Sequence, residues 1–119
     1  MADEDRFLMG CGAGFSGDRI DAPISVVDCI AQSGRPGAIM FETLAERTLA
    51  LGQVARREDP TKGYEPLLAE LVGPVLPICI RNSIPIVGNF GAANPPAAAA
   101  LLRRLAQEAG LPDVRIAVV

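Results

Sequence analysis

The chain has 119 residues, half of them apolar, with 11 basic and 14 acidic side chains and a net charge of −3. That length makes one domain, and the spread of its charges lacks the clustered Lys/Arg face that a nucleic-acid footprint needs. There is no histidine. An imidazole base and a zinc site are close to excluded, leaving carboxylates, Arg, Ser, Cys and backbone amides for any chemistry.

Cys11, Cys29 and Cys79 are far apart and flanked by apolar residues. They read as reduced, mostly buried thiols of a cytoplasmic protein. The start shows no basic stretch followed by an apolar one, so no secretory leader is expected. Residues 1–5, with Asp3-Glu4-Asp5, read as a disordered, solvated tail. The most apolar stretch, Leu67 to Gly88, contains Glu70, Arg81, Asn82, Pro74, Pro77 and Pro85. It is not a membrane span.

Arg6–Cys11 is an apolar run entering a glycine cluster, which predicts a buried strand. Ile20, Ile24, Val27, Cys29, Ile30 and Ala31 favour one helical face. Pro23 suits the first turn, Asp21 is placed to cap it, and Gly34 and Pro36 end it. Ala38–Phe41 predicts the second strand. Leu44, Thr48, Leu51 and Ala55 recur at helical spacing up to Asp59-Pro60. A further helix is expected from Pro66, with Leu67, Leu71, Val75 and Cys79 inward and a kink or interruption at Pro77. Ile84–Val87 predicts the third strand. Asn94-Pro95 reads as an N-cap and first helical residue, and Gly110 stops that helix. Val114–Val119 predicts a fourth strand.

The order βα, βαα, βα, β implies an α/β domain covering residues 1–119. It predicts an open parallel sheet of about four strands with helices on both faces, Rossmann-like in organisation. Because no loop follows Val119, the chain is expected to be part of a larger domain. Ligands of such sheets sit at the carboxyl ends of the strands. Three polar stretches fall there: Gly12–Arg19, Glu42–Thr48 and Asn89–Asn94.

The first stretch, Gly12-Ala13-Gly14-Phe15-Ser16-Gly17, matches G-x-G-x-x-G after a predicted strand. It reads as a phosphate cradle of backbone amides, as a tight turn leaving the sheet, or as another kind of binding loop. The helix is expected several residues after Gly17, later than a dinucleotide fingerprint requires. Asp18-Arg19 is either a surface ion pair or an anion-binding Arg19 oriented by Asp18. In the second stretch, Glu42 and Glu46 share a face if the helix begins early, and paired carboxylates can divide acid and base roles. Glu46 and Arg47 also read as ordinary first-turn residues. Glu42, at the mouth of a buried strand, needs a partner or a ligand. In the third, Asn89 is placed to hydrogen-bond a ligand carbonyl or hydroxyl, Asn94 to cap, and the amides after Gly91 to receive an anion. The candidate site is therefore Glu42, Asp18 and Glu46 for chemistry. Gly12, Gly14, Ser16, Gly17, Arg19, Arg47, Asn89, Gly91 and Asn94 are the candidates for binding. No metal ligand and no cofactor is assigned.

Gly12-Ala13-Gly14-Phe15-Ser16-Gly17-Asp18-Arg19, Phe41-Glu42-Thr43-Leu44-Ala45-Glu46-Arg47-Thr48 and Asn89-Phe90-Gly91-Ala92-Ala93-Asn94-Pro95 together resemble the N-terminal signature of the acyclic terpene utilisation (AtuA-type) family. Asp59-Pro60-Thr61-Lys62-Gly63-Tyr64 resembles that family's connector before its third helix. The resemblance runs from about Phe7 to Val119, and family members are several times longer. It implies a soluble cytoplasmic protein of citronellol or geraniol breakdown through acyl-CoA intermediates, which names a pathway and not a reaction. Two expectations follow. One is an enzyme domain acting on a branched acyl-CoA by hydratase- or lyase-type chemistry. Glu42 would then be the acid/base, Arg19 and the Gly12–Gly17 amides would hold an anionic group, and Asn89 would hold a carbonyl. The other is a non-catalytic subunit that binds an acyl-CoA or scaffolds an acyl-CoA carboxylase-type complex as a homo- or hetero-oligomer. A dinucleotide-binding domain ranks third. Neither a nucleic acid nor a membrane is an expected partner.

Overall fold

The computed structural model describes residues 5–111 and 113–119. The tail expected over residues 1–5 falls, for its first four, outside the described residues. In chain order the elements are β1 (Leu8–Ala13), α1 (Ala22–Ser33), β2 (Gly37–Phe41), α2 (Glu46–Glu58), α3 (Leu68–Val72), α4 (Leu76–Arg81), β3 (Ile86–Gly88) and α5 (Pro95–Glu108). The chain is α/β, as its alternation of apolar runs and helical spacings requires. The three strands make one open parallel sheet in the order β1-β2-β3.

This order corrects the expectation of helices on both faces. A strand–helix–parallel strand crossover is right-handed in nearly every case. Successive crossovers that advance in one direction along a sheet therefore lie on the same side. Only a reversal of strand order moves them across, and β1-β2-β3 has none. Accordingly α1 lies against the face of Gly10, Gly37 and Ile39: a Cβ added at Gly10 or Gly37 would meet Ile30. On the other face Cys11, Met40 and Val87 stand in register across all three strands. With Met9, two residues before Cys11, they are exposed among the described residues, Met9 at 65% and Val87 at 52%. A face of this kind in a parallel sheet is normally covered.

The core fills the helical side. Val27 and Ile30 of α1, Ile39 and Phe41 of β2, Leu68, Leu71 and Val72 of α3, Val75, and Leu76 and Cys79 of α4 form one buried cluster with Phe90, Ala98 and Ala106. Burial raises the Cys79 thiol to about 11. Cys11 and Cys29 are exposed, against the expectation of mostly buried thiols. Cys11 is exposed because it stands on the open face.

Three boundaries differ from expectation for local reasons. The helix after Pro66 is split into α3 and α4 at Gly73–Val75. The break falls at Pro74, and Pro77 sits in the first turn of α4, where its missing N–H costs nothing. Asp21 gives α1 no side-chain cap, because its carboxylate is taken by Arg19. Val114–Val119 makes no strand pairing among the described residues. This segment and β3 both line a cavity of about 690 Å³. No helix among the described residues is long and apolar enough to cross a membrane.

Candidate functional site

The three strands end level. A bulge between Cys11 and Ala13 advances the end of β1, so that the Ala13 carbonyl accepts from the Glu42 amide at 2.9 Å. The Phe41 carbonyl accepts from the Asn89 amide at 3.4 Å. Beneath this rim lies the Phe41 ring. A Cβ at Gly12 would come within 2.6 Å of it, so Gly12 is there to let an aromatic ring pass under the strand.

Glu42 and Asn89 meet across the strand ends. The Asn89 Nδ2 donates to Glu42 Oε1 at 2.8 Å, and Asn89 Oδ1 accepts from the Thr43 amide at 2.8 Å. The Leu44 amide also donates to Glu42 Oε1, at 2.9 Å. Both bonds to Glu42 therefore fall on one oxygen. The Asn89 amide, then the Leu44 N–H, hold the Glu42 carboxyl below its ordinary value of 4.5. A carboxylate stabilised in this way is a weaker base than a free one, and it serves as an acceptor that fixes the Asn89 amide.

The sign of the pH dependence follows. Glu42 has a depressed folded-state pKa, so its contribution to stability is complete above about pH 4.5 and is lost as pH falls through the folded value. The Asn89→Leu variant removes the principal cause. The gap in melting temperature between wild type and Asn89→Leu is expected to be wide near about pH 7 and narrow near about pH 3. Thermal melts at both pH values check this, and an equal gap refutes the coupling.

The glycine loop is arranged differently from a phosphate cradle. The Gly14 amide donates to Asp18 Oδ2 at 2.9 Å and the Arg19 amide to Asp18 Oδ1 at 2.8 Å. These two amides, Gly14 first, lower the Asp18 pKa from 3.8. The loop thus holds its own carboxylate where an anion would dock. Gly17 has φ +90°, in the left-handed region, within the turn closed by the Asp18 amide on the Phe15 carbonyl. The helix opens only at Ala22, beyond the reach of the loop's glycines.

Arg19 turns away from Asp18's carboxylate. Its Nε and Nη2 form a bidentate pair with Asp21, at 3.0 and 2.6 Å, with both side chains mostly in solvent. The hydrogen bonds between them raise the Arg19 pKa and lower that of Asp21. Glu46 and Arg47 are exposed in the first turn of α2. Glu42 lies outside that helix, whose N-cap is Ala45, so the helical spacing of Glu42 and Glu46 does not apply. Gly91 is a packing glycine: a Cβ there would lie 2.8 Å from Pro95 Cα. Asn94 caps α5 through the Ala97 amide at 3.4 Å, and its Nδ2 donates to the Pro60 and Lys62 carbonyls. Its donors are thereby spent on the backbone.

Ser16 joins the strand-end region through a residue that the sequence reading passed over. Its hydroxyl donates to Glu65 Oε2 at 2.7 Å, and Glu65 is buried at 4% exposure. Glu65 Oε1 accepts from the Leu67 amide at 3.2 Å, and the Glu65 amide donates to the Phe90 carbonyl. The available signal was a carboxylate directly before Pro66 at a helix entry. Thr43 was also passed over; it is 3% exposed and its hydroxyl has no partner among the described residues.

Two cavities flank the β2 exit. Leu44, Asn89 and Gly91 line the 690 Å³ cavity, whose walls are otherwise mainly Leu76, Ile86, Val87 and Leu102 with the segment Val114–Val119. Thr43 and Ser16 line a smaller one of about 280 Å³. Ala92 borders both, with a left-handed φ of +48° that is unusual for a residue with a side chain.

Residues 7–119 match the family model described as "Acyclic terpene utilisation family protein AtuA". No curated protein and no solved structure matches the chain.

Proposed function

Because the chain belongs to the acyclic terpene utilisation (AtuA) family, we propose that it binds a branched acyl-CoA-type thioester arising in the breakdown of citronellol- or geraniol-type terpenes. The observation that carries the reading is a fixed amide among the residues that line a large, mainly apolar cavity. Asn89 lines that cavity. One of its Nδ2 hydrogens goes to Glu42 and its Oδ1 to the Thr43 amide. The amide orientation is therefore set, and the second Nδ2 hydrogen is available to a thioester carbonyl. The aliphatic chain would occupy the space between Ile86, Leu76 and Leu102, where burial of each CH₂ contributes about 0.8 kcal/mol. In this reading Glu42 is a positioning residue for Asn89. The lowered Glu42 pKa favours that role over hydratase- or lyase-type proton transfer.

Titration calorimetry with geranoyl-CoA and with free CoA tests the proposal. A saturable response to geranoyl-CoA, much weaker for free CoA and reduced about tenfold or more in Asn89→Leu, is the expected result. Equal binding of both ligands would place the affinity outside the apolar cavity and sink the assignment.

The open sheet face favours a second reading, a non-catalytic subunit of an acyl-CoA carboxylase-type complex. Met9, Cys11, Met40 and Val87 form an apolar surface of the kind that protein partners cover. Under this reading, Met40→Lys abolishes assembly and leaves geranoyl-CoA binding intact.

A further inference from the structure

The open face of the sheet groups three sulfur side chains that neither cavity uses. Cys11 and Met40 are register partners on β1 and β2, and Met9 stands two residues before Cys11. Gly10 and Gly37 face α1, since a Cβ at either would meet Ile30. Side chains alternate along a strand, so Met9, Cys11 and Met40 all stand on the other side. Neighbouring strands lie about 4.8 Å apart, and residues two apart on one strand about 6.6 Å. The three side chains therefore spring from one small patch, and all three are exposed. Ala38, on the same face, is nevertheless only 4% exposed. The longer side chains beside it are Met9, its register partner, Met40, two residues on, and Pro85, whose carbonyl accepts from the Ile39 amide. Such shielding fits two thioethers that lie over Ala38 next to Cys11.

The donor set selects the ion. A thiolate and two thioethers are soft ligands, and soft sulfur selects Cu(I). Calcium and magnesium take oxygen ligands. Zinc takes thiolate, imidazole or carboxylate, four in a structural site. The chain has no histidine, and among the described residues no three Cys, Asp or Glu gather to hold a metal. One thiolate with two neutral thioethers on a monovalent cation carries no net charge, which suits a face with Val87 beside Met40. Each methionine has three rotatable bonds with which to bring its sulfur to a shared ion. The Cys11 thiol makes one long bond, to the Ala13 carbonyl at 3.6 Å, which it gives up on losing its proton. On binding, the sulfur–copper bond forms as that proton passes to solvent, and no electron is transferred. Cys29 is also exposed, but it lies on α1, across the sheet from Met9 and Met40.

We propose that Met9, Cys11 and Met40 form a three-sulfur site for Cu(I) on the open face of the sheet. It stands independently of the acyl thioester reading, since Asn89 and Glu42 take no part in it.

The test is an anaerobic titration of the chain with Cu(I) buffered by bicinchoninate, read on the ¹³C-methyl signals of methionine. The chain has three methionines, Met1, Met9 and Met40, so Met1 is the internal control. The Met9 and Met40 signals are expected to shift together and to saturate when a single ion is bound, with the Met1 signal unmoved. Zn(II) should move neither. Met40→Leu and Met9→Leu keep the volume and apolarity of the face and remove only a sulfur. Losing a group that merely supports a metal ligand costs about 10–100-fold in affinity, so each variant should weaken Cu(I) by about tenfold or more. Cys11→Ser should do the same, whereas Cys29→Ser should bind as wild type. Unchanged affinity in Met40→Leu overturns the proposal, as do methionine signals that stay in place. Binding lost in Cys29→Ser but kept in Cys11→Ser would also overturn it. A face that serves only as an apolar contact would show none of the expected shifts.

Discussion

Phe41→Ala loses about 3–5 kcal/mol of stability, the usual cost of emptying a large aromatic site in a core. Phe41 is fully buried at the end of the central strand. Its ring lies under Gly12 and meets Phe90 edge-on, with centroids 6.0 Å apart and an interplanar angle of 66°. It is therefore the packing block between the loops that leave all three strands. Removing it frees Glu42, its chain neighbour, and Phe90, which follows Asn89, at the same time. Geranoyl-CoA binding is expected to fall with stability, although Phe41 offers a ligand no polar group. Urea unfolding measures the first effect as a lower midpoint at unchanged slope. A cost below about 1 kcal/mol would mean that the strand ends collapse onto the gap and that packing does not hold the site.

Asn94→Ala is expected to cost about 2–4 kcal/mol. About 1 kcal/mol comes from the lost cap of α5, and about 1 kcal/mol each from the Pro60 and Lys62 carbonyls left without their donor. Asn94 is 6% exposed, so water does not readily replace it. The connector that it holds also docks through the Gly63 carbonyl, which accepts from the Ala93 amide, and α2 reaches the same loop through Arg56 to the Ala93 carbonyl at 2.7 Å. Hydrogen exchange should show the Ala93 amide losing protection along with the connector. Asn94→Asp, which keeps the cap oxygen but loses both amide donors, should fall between Ala and wild type. If Asp equals wild type, the two carbonyl bonds contribute nothing.

The alternation of strands and helices was legible because each apolar run or helical spacing is a local property of the chain. Asn94-Pro95 was legible as a cap for the same reason. What failed depends on strand order or on distant partners. Helices on both faces could not be judged before β1-β2-β3 was known to run without a reversal. Asp18-Arg19 was read either as a surface ion pair or as an anion-binding Arg19 oriented by Asp18, but the amides of Gly14 and Arg19 hold Asp18, and Asp21 holds Arg19. Glu42 was marked from its place after a buried strand, yet its partner Asn89 lies 47 residues on. Ser16 and Glu65 are 49 residues apart. The local signal at Glu65, a carboxylate before Pro66 at a helix entry, says nothing of the Ser16 hydroxyl that it accepts from.

The open face of the sheet also determines where the chain meets oxidants. Met9, Cys11 and Met40 put three sulfur atoms on that one surface, whereas the Cys79 thiol is buried and held protonated. Peroxide converts an exposed thioether to a polar sulfoxide and an exposed thiol to a sulfenic acid. Apart from the exposed Cys29 of α1, oxidative damage would therefore gather on the apolar side opposite that helix and make it polar. Whatever covers that side also protects its sulfurs, so the degree of methionine oxidation in the cell would record how much of the time the face is covered.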